Sequence, residues 1–278
     1  MPIALVTGAT NGIGTEIARG LAAHDFTVYV HGRSMSKADA VCADIKASTG
    51  NTAVYPVIAD FDSLNDVKAM ATEYLALKQP LDVLVNNAGV VTLKREQTRD
   101  GFERMFGVNY LAHYQLTRML LPALRQSAAG RVVNLSSGAH AFVKGMNWDD
   151  LQYRQGFKSM RTYGHSKLAN LLFTRALAAR EPGLHAYAAH PGAVSTGLGT
   201  QNGWIGTLIP MLLKPFFRTP AQGASTALML ATQTILEPSG SYFANDTVKA
   251  PAAWGQDDAA AERLWCVTAD LLGLPEAD

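Results

Sequence analysis

Short apolar, β-branched runs alternate along this chain with longer stretches of helical period. That alternation restricts it to a mostly parallel sheet with crossover helices. Residues 3–7, 26–30, 53–58, 82–85, 131–135 and 184–189 read as strands. Their nearly unbroken apolar character predicts burial on both faces. Between them, Ile13, Ile17 and Leu21 share one side of a first helix, and a long helix is expected over about 100–126. Thr219-Pro220 reads as an N-cap with proline at the first helical position. A last helix is expected over about 257–272, with Leu264, Trp265, Val267 and Thr268 facing inward. The expected fold class is α/β: one Rossmann-type doubly wound parallel sheet of six to seven strands, flanked by helices. No repeat or linker divides residues 1–278 into more than one domain. Two stretches interrupt the rhythm: an insertion at about 138–161, and an apolar segment at about 194–218 placed to act as a lid.

Composition limits the partners. Hydrophobic residues make up 48% and charged residues 17%, with a formal net charge of +1. That balance gives no general attraction to nucleic acid or to anionic membranes. The two cysteines, Cys42 and Cys266, are far apart and read as reduced thiols without metal-ligand spacing. No segment reaches the ~18 uninterrupted apolar residues of a membrane span, and no secretory leader is visible. The expectation is therefore a cytoplasmic protein with no membrane anchor and no metal.

The first strand runs directly into Thr7-Gly8-Ala9-Thr10-Asn11-Gly12-Ile13-Gly14. Glycines there let the backbone turn tightly and approach a phosphate, while the next helix offers free N–H groups and a positive dipole end. Alone, such a loop can equally be a structural turn, but the strand before it and the helix after it fit a dinucleotide site. Sites selective for NAD usually carry an acidic residue about 20 positions further on. Here the second strand ends Val30-His31-Gly32-Arg33-Ser34, with no acid. Arg33 can pair with a 2′-phosphate, favouring NADP(H) over NAD(H), or it is simply a solvated loop charge. Asp60, after the third strand, either accepts a hydrogen bond from an adenine amino group or belongs to a helix cap with Asp62 and Ser63.

A second group carries acid–base chemistry. Tyr163 and Lys167 are four apart, hence on one face of a helix. A phenol titrates near pH ~10, and a neighbouring cation favours the phenolate, so the pair can serve as an acid–base unit. Ser136-Ser137 ends the fifth strand, where a hydroxyl can donate to a substrate carbonyl or merely cap a turn. Asn86-Asn87-Ala88-Gly89 follows the fourth strand and can flank a cofactor or form a turn. Asn109 lies in the middle of the long helix. It is either solvated there or opens the helix locally and supports a water chain to Lys167. His165, His185 and Met160 carry no expectation beyond ordinary structure.

Taken in order, Thr-Gly-x-x-x-Gly-x-Gly, Asn-Asn-Ala-Gly, the helix Asn, Ser-Ser, Tyr-x-x-x-Lys and His190-Pro191-Gly192 resemble the short-chain dehydrogenase/reductase family over residues 3–272. The resemblance implies a nicotinamide-dependent oxidoreductase acting on CH–OH or C=O groups. In it Tyr163 is the general acid of reduction and base of oxidation, and Lys167 its pKa-lowering, ribose-binding partner. Ser137 orients the carbonyl and Asn109 serves a proton relay. Gly8, Gly12 and Gly14 resemble the pyrophosphate loop, and Asp60 and Asn86 with Ala88 resemble adenosine contacts. Pro191, Gly192, Val194 and Thr196 resemble the segment beside the nicotinamide amide. Thr10, Asn11, Ile13, Ser34, Phe61, Asn87 and Gly89 complete the implied cofactor contacts.

Ser137 and Tyr163 stand 26 positions apart, where many members have about a dozen. That insertion, with Thr219-Pro-Ala-Gln-Gly-Ala224 and Arg263-Leu-Trp265, is similar to the retinol-dehydrogenase and protochlorophyllide-reductase-like branch. Many NADP-using members also carry a base in the glycine loop, where this chain has Asn11. Trp204, Ile205, Leu208, Phe216 and Phe217 suggest a lipophilic small-molecule carbonyl or alcohol as substrate, unless they are packed core or an oligomer surface. The resemblance further implies a homodimer or homotetramer through the helices carrying Asn109 and Tyr163. A non-catalytic NADP-binding sensor on the same fold is the alternative, although such a protein is expected to lose Tyr163 or Lys167.

Overall fold

A computed structural model of the chain describes residues 1–194, 218–235 and 237–275. Its strands are β1 (Ile3–Val6), β2 (Thr27–Gly32), β3 (Val54–Ile58), β4 (Val83–Asn86), β5 (Arg131–Leu135), β6 (His185–His190), β7 (Tyr242–Ala244) and β8 (Thr247–Lys249). They form one sheet in the order β3-β2-β1-β4-β5-β6-β7-β8, parallel throughout except for the β7–β8 hairpin. The sheet thus has eight strands, not six or seven. The two extra strands are three residues each, too short to show a period, and β8 is exposed along its length. The overlooked signal is Asn245-Asp246, both with positive φ (56° and 60°), the backbone of a two-residue hairpin turn.

The helices are α1 (Gly12–Ala23), α2 (Met35–Thr49), α3 (Leu64–Ala76), α4 (Arg104–Phe106), α5 (Ala112–Leu124), α6 (Ser159–Arg180), α7 (Pro220–Thr232) and α8 (Asp258–Leu272). Alternate residues of each central strand enter opposite faces. Ala4 and Val6 of β1 and Val83 and Val85 of β4 meet Ile17, Leu21, Ile45 and Ala227 from α1, α2 and α7. Leu5 and Leu84 meet Val67, Leu116, Leu120, Leu172, Leu264 and Trp265 from α3, α5, α6 and α8. Each such buried Leu or Val stabilises the fold by about 1.5–3 kcal/mol relative to exposure. Val267, expected inward, is half-buried, and Ala261 and Ala269 take the inner positions instead.

The long helix starts at Arg104 rather than near residue 100, because Gly101 turns at φ 85° and Glu103 then caps the Met105 and Phe106 amides. Between α4 and α5, Gly107–Leu111 forms one π turn, in which the Ala112 N–H reaches back to Gly107. At α7 the capping box is complete: Thr219 Oγ1 accepts from the Gln222 amide at 3.2 Å, and Gln222 Oε1 accepts from Thr219 N–H at 3.0 Å. Residues 138–158 comprise a 3₁₀ turn (Gly138–Phe142) and an irregular run before α6. Val194 and Arg218 are joined by a parallel bridge. The expected lid between them, and Thr196 with it, lies outside the described residues. No described helix is long and apolar enough to cross a membrane.

The chain runs from β1 out to β3 and then back to β4, so strand order reverses between β1 and β4. Loops diverge there above the carboxyl ends, the usual crevice of such a sheet.

Candidate active site

A cleft of about 400 Å³ opens at this switch point. Gly8, Thr10, Asn11, Ile13, Gly14, Arg33, Asp60, Phe61, Asn87, Ala88 and Gly89, all expected at the cofactor, line it. Gly8 (φ 62°) and Gly12 (φ 57°) adopt left-handed backbone. A Cβ on Gly8 would lie 2.8 Å from Ala88 Cα, and one on Gly14 would collide with the Gly8 carbonyl and sit 2.5 Å from Asn87 Nδ2. Asn11 is the N-cap of α1 but makes no side-chain cap, leaving the helix entry to an incoming acceptor. The residues present therefore fit a dinucleotide phosphate: a glycine cradle, a helix N-terminus and, among the described residues, no side chain filling the space.

Two expected contacts hold the protein itself. Asn87 Nδ2 donates to the carbonyls of Thr7 (2.7 Å) and Gly8 (3.1 Å), fastening the loop. Asn86, implied at the adenosine, turns into the core instead, where its amide donates to Thr117 Oγ1 and Asn134 Oδ1. The floor of the cleft is His31, absent from the sequence-based site. Its Nδ1 accepts from Gly8 N–H at 3.0 Å and its Nε2–H donates to Ala59 O at 3.0 Å. Burial pushes this ring down to about 4, so it stays neutral, stacked on Phe61 at 4.4 Å.

At one end of the cleft Arg33 is exposed, with Lys37 beside it in the first turn of α2. Neither has an ion-pair partner among the described residues. Ser34, the N-cap of α2, makes no cap and meets Ser36 Oγ at 3.1 Å. Sequence reasoning missed Lys37, although its helical position after Arg33 was readable. Asp60 lines the cleft with its carboxylate already engaged: Oδ2 accepts from Arg99 at 2.9 Å and Oδ1 from Asp62 N–H at 3.2 Å. Asp60 thus borders the cleft and braces the turn before α3, while the cap of α3 itself is Ser63.

At the other end, Ser137 follows β5 with its Oγ accepting from Ala139 N–H at 3.2 Å. Glycine at 164 lets α6 press against this turn, since a Cβ there would collide with Ala139 O. The long insertion is thereby closed, and the Tyr163 hydroxyl falls within hydrogen-bonding influence of Ser137. Lys167 is buried, donates from Nζ to Leu135 O at 2.8 Å, and lies 5.7 Å from the Tyr163 ring centroid. Among the groups of the chain itself, burial pushes Tyr163 up to about 12 against the opposing hydrogen bond from Ser137. Burial also pulls Lys167 down to about 8. Desolvation is thus the largest influence on the phenol, and Ser137 the one opposing it. Asn109 sits in the π turn, as a locally opened helix requires. Its Oδ1 accepts from Val90 N–H (2.7 Å), and its Nδ2 donates to Val90 O and Ser166 Oγ (both 3.0 Å).

The His190-Pro191-Gly192 segment borders the same end, with His190 Nδ1 accepting from Gly138 N–H at 3.2 Å. Gly192 (φ 81°) packs against Arg218, and Val194 wedges between Ile13 of α1 and Gly223 of α7.

Residues 2–203 match the family model described as short chain dehydrogenase. The chain belongs to the short chain dehydrogenase family. It is 42% identical over 275 residues to mouse retinol dehydrogenase 12, covering 98% of this chain and 86% of that protein. Against mouse retinol dehydrogenase 11 the identity is 40% over 276 residues, covering 98% and 87%. Among solved structures, an Escherichia coli CFT073 protein described as a short chain dehydrogenase complexed with NADPH superposes with a TM-score of 0.70. It is 27% identical, with 88% of this chain and 97% of that one covered. Among the described residues of this short chain dehydrogenase, no group of three or more His, Cys, Asp or Glu side chains could hold a metal ion.

Proposed function

We propose that this short chain dehydrogenase is an NADP(H)-dependent oxidoreductase for the carbonyl or alcohol group of a lipophilic small molecule, with Tyr163 as its general acid and base. The observation that carries the reading is the convergence of Tyr163, Ser137 and Lys167 beside Gly89, at the end of a glycine-lined cleft. When bound, the nicotinamide supplies the hydride in reduction and takes it in oxidation. In reduction, Tyr163 O–H gives its proton to the carbonyl oxygen. Ser137 Oγ accepts from Ala139, and its own proton, directed at Tyr163 in this structure, can turn to that oxygen and orient it. Lys167 spends one N–H on Leu135 O, leaving two donors for a ribose and for stabilising the phenolate as it forms. A phenol near 12 is fully protonated at neutral pH, which suits it to begin as the donor.

NADP(H) over NAD(H) is supported by Arg33 just after β2 and Lys37 in the first turn of α2, with no carboxylate at the end of β2, and by the NADPH complex of the Escherichia coli neighbour. A lipophilic substrate is supported by Met160 and Phe142, 51% and 60% exposed, which border Tyr163. Met160 lies one turn before Tyr163, and Phe142 packs against Gly164. The test is Tyr163→Phe on a panel of aldehydes, ketones and alcohols, read by nicotinamide absorbance with both cofactors. Turnover is expected to fall ~10²–10⁴-fold with little change in NADPH affinity. Near wild-type kcat in the variant would exclude the assignment.

A further inference from the structure

The end of β2 grips the glycine loop from below. Ala9 N–H donates to the main-chain carbonyl of His31 at 2.8 Å, and Gly8 N–H donates to the ring of the same residue at Nδ1, 3.0 Å away. Gly32 then seats the Thr10 methyl group, which a Cβ there would strike. Two residues of β2 thus hold three consecutive residues of the loop. From the other side Ala88 Cα closes on Gly8, 2.8 Å from the place of a Cβ. The loop is pinched between β2 and the segment after β4.

One tautomer satisfies both ends of the His31 ring. Ala59 O can only accept, so Nε2 carries the proton, and burial to 2% exposure keeps a second proton off. Nδ1 is then a bare acceptor held against Gly8. Stacking on Phe61 fixes the plane of the ring, and Asp60 and Arg33 flank it with opposite charges. The loop amides divide accordingly. Thr7 N–H donates to Val85 O, and those of Gly8 and Ala9 to His31, so these three turn into the protein. The amides of Gly12, Ile13 and Gly14, in the first turn of α1, have no carbonyl one turn earlier in the helix and are the donors left for a phosphate.

We infer that His31 is a positioning residue for the cofactor: its Nδ1 takes the Gly8 amide and so holds the loop in the shape whose remaining amides meet the pyrophosphate. The inference rests on the function proposed above for its cofactor. Without an acceptor at that point the Gly8 N–H is left unmet, which favours a rearranged loop. Affinity then falls with the fraction of chains that keep the competent shape. NADPH and NADH share the pyrophosphate, so both are affected equally, unlike the effect of Arg33 at a 2′-phosphate.

Side chains of two lengths separate the two ends of the ring. His31→Asn places an amide oxygen near the position of Nδ1 and loses the bond to Ala59. His31→Gln keeps a donor near the position of Nε2 and loses the acceptor. His31→Phe keeps the ring and loses both. Each variant is titrated with NADPH and with NADH by fluorescence, and thermal melts read stability. The Gln and Phe variants are expected to raise the Kd of both cofactors about tenfold or more and by equal factors, the scale of one unmet amide. The Asn variant should stay within about threefold of the wild type for both, although it too has lost one hydrogen bond of the ring. A ring that only braced the fold would instead shift Kd in step with Tm. At saturating NADPH, kcat should stay within about threefold in all three, because occupancy and not chemistry is altered.

Three results overturn the inference while leaving the cleft and Tyr163 in place: wild-type Kd in the Gln and Phe variants, a Kd in the Asn variant as weak as in the Gln variant, or a loss confined to NADPH. Should the variants fail to fold, the wild type decides. Spectra of its ¹⁵N-labelled NADPH complex should show a neutral Nε2–H ring at His31, coupled across the hydrogen bond to the Gly8 amide, and an Nδ1–H ring or a missing coupling overturns the inference. Wild-type protein that binds neither NADPH nor NADH overturns the proposed function and this inference with it. Turnover that survives Tyr163→Phe overturns the catalytic assignment alone and leaves this inference standing.

Discussion

At the scale of single residues, the site holds a cation at a cost. Lys167 falls from 10.5 to about 8 through burial. Its unfolded form binds a proton between those values and its folded form does not, so the penalty is full below pH 8 and fades as pH rises towards 10.5. The size is about 3 kcal/mol at ~1.4 kcal/mol per pK unit. Lys167→Met is therefore expected to unfold later than the wild type at pH 7, while turnover collapses. Leu135 O keeps Asn170 as a donor at 3.1 Å. Thermal melts of both proteins from pH 7 to 10.5 check this, and the gain should shrink towards the alkaline end. At the opposite end of the cleft, Arg33→Ala should raise the Kd for NADPH about tenfold or more, a loss typical of a charged hydrogen bond, and leave NADH unchanged. Lys37→Ala should act in the same direction. Equal losses for both cofactors would exclude phosphate pairing.

At the scale of elements, the site depends on close approaches that only glycine permits. Gly14 brings the first turn of α1 against the Gly8 carbonyl and the Asn87 amide. Gly14→Ala should push α1 outward, lower stability by about 1–3 kcal/mol as overpacking does, and weaken NADPH binding. A melt together with a cofactor titration reads both, and an unchanged Kd would show that the loop tolerates the displacement. Gly164 has the same role for α6, pressing Tyr163 onto the Ser137 turn. The sequence showed Gly14 and the Tyr-x-x-x-Lys spacing, because each belongs to a local pattern, but not the close approach at Gly164. It could not show that Asn86 points to the core while Asn87 fastens the loop, since strand alternation assigns faces only once both neighbouring strands are known.

At the scale of the whole molecule, burial makes the fold sensitive to acid. Histidines 31, 113, 165 and 190 are all held neutral by desolvation, at about 4, 3, 3 and 4. Below pH 6.5 the unfolded chain takes up protons that the folded chain refuses, so stability falls as pH drops from 6.5 towards 4. Each contributes on the order of 3 kcal/mol by pH 4, and together they rival the ~5–15 kcal/mol of a typical domain. Tryptophan fluorescence against pH should therefore show cooperative unfolding between about pH 6 and 4. A fold whose stability is level across that window would contradict the burial of these rings.

Local chemistry, read in order along the chain, determined the α/β class, the glycine loop, the family resemblance and the residue types of the site. Those follow from periodicity and from spacing within one helix or turn, which neighbours in sequence define. The tertiary structure decided the eighth strand, the direction of each asparagine, the placement of Lys37 beside Arg33, and the neutral histidines beneath the cleft. It also set the burial of Tyr163, which among the chain's own groups pushes the phenol up, because desolvation depends on every element packed around a group and no local spacing encodes it.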